Sequence, residues 1–265
     1  MLPILNYHIL YDKQSSAPIA EDEAIYANEV QKFQQQIKYL CDNQYQGISL
    51  DDYINSRTNL LKDLSKNQII ITFDDGHIST HTHAMPIMLE YGFPTIIFVT
   101  VKNIGTSDGV SWQQLKEMAD NGMSIQSHTM THPFLSDLPP KEIRWELQES
   151  KTILEQQLGK PVDYLSLPGG RCNSTVKNIA IEVGYRAVCT SIIGYNDANT
   201  DPYSLKRWVI KRNMKLSTFS DIVHRKRSTL AYYKTRYFML SSLKKVLGNR
   251  IYASIHRELT SKRIR

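Results

Sequence analysis

From its first residues to about residue 210 the chain alternates short apolar runs with amphipathic stretches that close on glycine, and no other feature narrows its possible folds so far. "NQIIITF" at 67–73 is followed by "THAMPIMLEYG" ending at Gly92; "PTIIFVT" at 94–100 is followed by "SWQQLKEMADNG" ending at Gly122; "MSIQSH" comes next. A run that is apolar at successive positions buries both of its faces, as a parallel strand between helical crossovers does. Before these units, residues 2–9 read as a strand, and Val30, Phe33, Ile37 and Leu40 recur at helical spacing over 28–43. After them, Pro139 and Pro140 open a long helix with Ile143, Leu147, Ser150, Leu154 and Leu158 on one face and Gly159 at its end. Strand "DYLSLP", a helix over 174–183 ended by Gly184, and strands "YRAVCTS" and "LKRWVIKR" complete the pattern. The expected class is α/β: a parallel sheet closed, or nearly closed, into a (β/α) barrel.

Charge divides the chain. Residues 1–205 carry 15 Lys and Arg against 24 Asp and Glu, a net of 15 − 24 = −9, whereas residues 206–265 carry 17 against 2, a net of +15. Two regions are expected, a barrel over 1–213 and a basic, helical C-terminal extension over 214–265. The extension mixes Lys and Arg with Leu, Tyr, Phe and Ile as an interfacial helix would, so contact with an anionic membrane is one expectation. The acidic body disfavours nucleic acid. An odd count of three unpaired-looking cysteines, with no leader-like segment and no run of roughly 18 apolar residues, points to a cytoplasmic protein, peripheral on the inner membrane face if the tail docks there.

In such barrels the functional site forms at the C-terminal ends of the strands. His8, Asp74, Asp75, His128 and Pro168 all stand at the ends of expected strands. Adjacent carboxylates at the rim of an apolar core repel one another and resist desolvation, so a positive partner is expected there. His128 and His132, three residues apart in "SHTMTH", can turn to one point. With a carboxylate from another strand end they make a three-ligand site with open positions, the form of a catalytic metal centre. One of the two aspartates can then bind metal while its neighbour accepts a proton.

"TFDDG" followed about fifty residues later by "SHTMTH" resembles the first two motifs of the polysaccharide deacetylases, carbohydrate esterase family 4, also called the NodB homology domain. The likeness continues through "YGFPTIIFV", "LPGG" and "GYRAVCTSIIGYN" and covers roughly residues 1–212. It implies a distorted (β/α) barrel and a metal-dependent hydrolase, most often with zinc, that removes the N-acetyl group from a sugar of a poly- or oligosaccharide. By the resemblance Asp74 is the catalytic base, Asp75, His128 and His132 hold the metal, and Pro168, Gly169 and Arg207 face substrate or oxyanion. The tyrosine-histidine pair in "ILNYHIL" is similar to that of the circularly permuted branch, which includes poly-N-acetylglucosamine deacetylases, and implies His8 as the general acid.

Two departures stand out. Where many relatives have an arginine that orients the base, this chain has Ser166, with Arg171 and Arg207 as the candidates to replace it; and His224 and His256 lie outside the context of the family's late histidine motif. The basic tail leaves room for a lipid-linked substrate. Deformylation of a lipid-linked aminosugar is one alternative, and Ser166 leaves a non-catalytic carbohydrate-binding barrel as another. Of Trp112, Trp145 and Trp208, Trp112 in the loop after strand "TIIFVTV" is the first candidate for a sugar-stacking platform, although most tryptophans are core or helix-face residues.

Overall fold

A computed structural model of the chain describes residues 1–14, 19–20, 23–56, 67–237 and 239. Its elements are β1 (Ile4–Tyr7), β2 (Ile9–Tyr11), β3 (Ala27–Glu29), α1 (Val30–Asp42), β4 (Gln46–Gly47), α2 (Leu50–Ser56), β5 (Gln68–Phe73), α3 (Met85–Tyr91), β6 (Thr95–Val99), α4 (Trp112–Asp120), β7 (Ser124–Ser127), α5 (Pro140–Leu158), β8 (Tyr164–Ser166), α6 (Ser174–Val183), β9 (Ala187–Cys189), β10 (Trp208–Val209) and α7 (Leu216–Val223). The main sheet runs β10-β1-β5-β6-β7-β8-β9, parallel throughout, and β4 adds to the start of β5. Leu205 bridges Cys189 on β9 in parallel, only three residues ahead of β10, so the strand order returns to where it began. The barrel expected from the alternation is therefore present, with β1 sitting between the last strand and β5 as the permuted order requires.

The alternation of side chains along each strand separates two cores. Leu5, Tyr7, Ile69, Ile71, Phe73, Ile97, Val99 and Ile125 pack outward with Phe33, Ile37 and Leu40 of α1, Met88 of α3, and Leu115 and Met118 of α4. Ile4, Ile70, Ile96, Phe98, Tyr164, Ala187, Cys189 and Leu205 fill the barrel interior. Each buried Ile, Leu, Val or Phe among them contributes about 1.5–3 kcal/mol, and Phe98→Ala would cost about 3–5 kcal/mol through the cavity it leaves. The interior register then turns polar as the strands climb: Ile4 leads to Asn6 and His8, Ile70 to Thr72 and Asp74, and Tyr164 to Ser166. A dry floor with polar groups above it confines the chemistry to one rim.

The helix ends follow their sequence signals. Ser111 caps α4 in a reciprocal capping box with Gln114; Asn173 caps α6; and Gly92, Gly159 and Gly184 end α3, α5 and α6 in left-handed conformation. At its other end the chain departs from expectation. In α7, Phe219, Ile222 and Val223 are buried in the same core as Phe33 and Trp208, and Tyr195 donates its hydroxyl hydrogen to the Ile222 carbonyl at 2.9 Å. The expected boundary after residue 213 thus falls inside a packed unit, because an amphipathic helix rich in Leu, Phe, Ile and Val buries that face rather than leaving it in water. Residues 238 and 240–265 of the basic extension lie outside the described residues.

Candidate active site and metal centre

Asp74 closes β5 on the inner side of the rim, 3% exposed, and two further strands and the turn before β10 reach it. Arg207 makes a bidentate pair, Nη1 to Oδ1 and Nη2 to Oδ2, both at 2.8 Å. Asn6 on β1 donates to Oδ2 at 2.9 Å and the Ser166 hydroxyl on β8 donates to the same oxygen at 3.0 Å. Arg207 is itself fully buried, and its remaining donors reach Thr190 O at 3.0 Å and Ser166 Oγ at 2.8 Å. Burial alone would raise the Asp74 pKa, but the Arg207 guanidinium, with His128 and His8 nearby, outweighs it and holds the group down to about 2. Oδ2 takes three donors while Oδ1, among the described residues, takes Arg207 alone. Oδ1 keeps the acceptor capacity.

This arrangement corrects one expectation. Arg207 does not face substrate or oxyanion: it stands behind Asp74, because the ring closure through Leu205 lays residue 207 against the end of β5. It supplies the guanidinium missing at Ser166, and the small serine leaves it the space. Arg171 lies instead over the Phe134 ring, 4.0 Å from its centroid.

Asp75 follows with φ +74° and Gly76 with φ +72°, two successive left-handed residues that turn the chain sharply at the strand end. Gly76 admits no side chain there, since a Cβ would stand 2.9 Å from Val99 Cγ1. The turn directs the Asp75 carboxylate away from its neighbour: Oδ1 lies 3.2 Å from His128 Nε2 and 3.3 Å from His132 Nε2. One ligand atom from each of the three residues lies within 4.8 Å of the others. His128 is buried, and its Nδ1–H donates to the Ser166 carbonyl at 2.8 Å, which leaves Nε2 as the lone-pair nitrogen toward Asp75. Burial raises the cost of ionising Asp75, yet the two histidines hold its pKa well below the ordinary carboxylate range. Burial likewise disfavours His128 cation, but Asp74 and Asp75 raise its pKa above the usual histidine value. A carboxylate and two oriented imidazoles, converging from β5 and β7, suit a divalent ion.

His8 sits between β1 and β2 and stacks on Tyr26, ring centroids 4.8 Å apart. Burial lowers its pKa, with Asp75 and Asp74 opposing, so its ring senses the same carboxylates. Its Nδ1 is buried and has no hydrogen-bond partner among the described residues. Pro168 is buried at the start of a 3-10 turn; Gly169 is exposed with φ +63°, and the edge of Phe134 lies 2.6 Å from where its Cβ would be. Trp112 is the first residue of α4 and packs, partly buried, against the core. His224 packs on Tyr39 and Tyr45, and His256 lies outside the described residues. Sequence reasoning missed Asn6, a polar residue in an apolar strand, which is the signal that could have found it.

The sequence model of the family described as polysaccharide deacetylase matches residues 61–188. The Bacillus subtilis (strain 168) protein YxkH, named for the same family, is 31% identical over 82% of this chain and 74% of its own length. The chain belongs to the polysaccharide deacetylase family. It is a carbohydrate N-deacetylase, a hydrolase of the amide that joins an acyl group to an amino sugar. The Streptococcus pyogenes deacetylase PplD, solved in complex with acetate, superposes on this deacetylase with a TM-score of 0.73 at 29% identity, over 82% of this chain and 95% of that one. A peptidoglycan-N-acetylglucosamine deacetylase of Bacillus cereus is 29% identical over 46% of this chain and 56% of its own length.

Proposed function

We propose that Asp75, His128 and His132 hold a divalent ion, most simply Zn²⁺, that Asp74 is the general base and His8 the general acid, and that the substrate is an N-acetylglucosamine-containing poly- or oligosaccharide. The observation that carries this reading is the division between the two aspartates: Asp75 meets both histidines, while Asp74 is turned inward onto Arg207. A bound ion of this kind polarises the amide carbonyl and lowers the pKa of a coordinated water to about 7. Asp74 Oδ1 accepts the proton as the water attacks; its low pKa keeps it ionised at every working pH but makes it a weak base. His8, protonated, delivers a proton to the departing amine, so that amine and acetate leave as separate products. The Gly169 backbone, at the turn after β8, is assigned to the oxyanion together with the ion. Zinc suits two imidazoles and one carboxylate, and N-acetylglucosamine is named for the B. cereus relative.

The ground for a non-catalytic barrel was the serine at 166, and the buried Arg207–Asp74 pair removes it. Deformylation would use the same groups, and formate rather than acetate in the product would identify it. Asp74→Asn tests the assignment: zinc uptake should persist while turnover falls by a factor on the order of 10² to 10⁴, the usual worth of a general base. Loss of zinc with little loss of turnover per bound ion would overturn it.

We further propose that the C-terminal segment docks on anionic lipid, which would suit a lipid-linked saccharide. Tyr232 and Tyr237 are 59% and 62% exposed on a helical stretch that also carries Arg227, Lys234 and Arg236.

A further inference from the structure

The turn that bears both metal-site histidines is conformationally costly and is held by a residue outside every motif. Thr129 and His132 have φ +69° and +67°, a left-handed conformation that is costly for a side-chain-bearing residue and least suited to β-branched threonine. His128 needs little help, since its N–H donates to Val99 O at 2.9 Å and its ring to Ser166 O. His132 is different: its backbone N–H donates to Thr129 Oγ1 at 3.0 Å, and its half-exposed ring lies beside Asp75 and His128. Beneath the turn lies Glu146 of α5, 4% exposed. Its Oε2 accepts from the N–H groups of Met130 at 2.8 Å and Thr131 at 2.9 Å, and its Oε1 accepts from the Thr131 hydroxyl.

We propose that Glu146 is a positioning residue for the cation site, acting through the 129–131 turn to bring His132 Nε2 to the point it shares with Asp75 and His128. The carboxylate is an acceptor at both oxygens, so it matches three donors that all come from the turn. In Glu146→Gln an amide NH₂ replaces one of those oxygens and confronts donors with a donor. The turn can then relax out of its left-handed residues and carry His132 away. Thr131→Val removes one of the three donors and leaves the two N–H bonds, so it should act in the same direction and less.

The test is zinc affinity, read by competition with a chromogenic chelator on the purified chain, with the melting temperature of the metal-stripped protein alongside. Glu146→Gln should bind zinc 10- to 100-fold more weakly, as outer partners of metal ligands generally do when altered, and Thr131→Val a few-fold more weakly. At zinc concentrations that saturate the variant, kcat should recover with KM for N-acetylglucosamine oligomers unchanged. Wild-type affinity in a folded Glu146→Gln protein overturns the proposal; if that variant does not fold, unchanged affinity in Thr131→Val does so. The proposal rests on the reading of Asp75, His128 and His132 as the cation site. A wild-type chain that takes up no zinc refutes that reading itself, a different result from wild type and variant binding zinc equally.

Discussion

At the scale of single residues the proposed base, Asp74, is defined by what surrounds it. Arg207 and Asp74 are buried together, and removing either leaves an uncompensated charge in a dry interior. Arg207→Met should therefore destabilise the fold by about 3–5 kcal/mol, measurable by urea denaturation. Asp74→Asn should show a related loss with a pH signature. The folded-state pKa of Asp74 is depressed to about 2, so its contribution is full above the ordinary carboxylate value and is lost as pH falls through the folded one. The stability gap between wild type and Asp74→Asn should be largest near neutrality and close between about pH 4 and pH 2. A gap that stayed constant over that range would contradict the pairing. For His8 the sign runs the other way. Burial lowers its pKa, and an acid must be protonated to act, so the alkaline limb of kcat/KM should begin below the ordinary histidine value and vanish in His8→Gln. Asp74, Asp75, His128, His132 and His8 were legible in the sequence because each stands in a short motif at a strand end. Asn6 was not, since it approaches Asp74 from 68 residues away; Arg207, 133 residues away, stood among the candidates to replace the arginine missing at Ser166, but nothing near it in the chain chose between it and Arg171.

At the scale of elements, what was readable is what is local. The strands and helices from β5 to α6 carry their own periodicity and their own capping residues, and they fall where the pattern placed them. The two-residue β4, three-residue β3 and seven-residue α2 were missed, being too short to show a period. Glu146 left a faint trace, an acidic residue beside Ile143 and Leu147 on the buried face of α5. The turn between β8 and α6 offers a test of close packing. Gly170 has φ +67° and a Cβ there would lie 2.2 Å from Ser191 N, whereas Gly184 has φ +93° with nothing within 4 Å. Gly184→Ala should lose about 1 kcal/mol, the cost of the conformation alone. Gly170→Ala must also displace the backbone after β9, and should lose clearly more while impairing turnover. Equal losses would show that the turn yields easily.

At the scale of the molecule, a ring of parallel strands draws His8, Asp74, Asp75 and His128 from the ends of β1, β5 and β7 to one rim, although they are far apart in sequence. The same closure makes α7 part of the body. A chain ending at Asn213 loses Phe219, Ile222 and Val223 from the core, about 1.5–3 kcal/mol each against a total stability of about 5–15 kcal/mol, and should melt far below the full chain. A chain ending at Met239 should melt with it. That shorter chain also separates the roles of the tail: sedimentation with anionic vesicles should weaken relative to the full chain and fall with salt, and no association of the full chain would end the membrane proposal. The central claim is narrower and is tested by acetate released from N-acetylglucosamine oligomers by the purified protein before and after metal removal. Zinc-loaded protein should release one acetate for each free amine formed, chelation should stop it, and added zinc should restore it. Acetate release that survives complete removal of metal, or none from the zinc-loaded protein, would contradict the account.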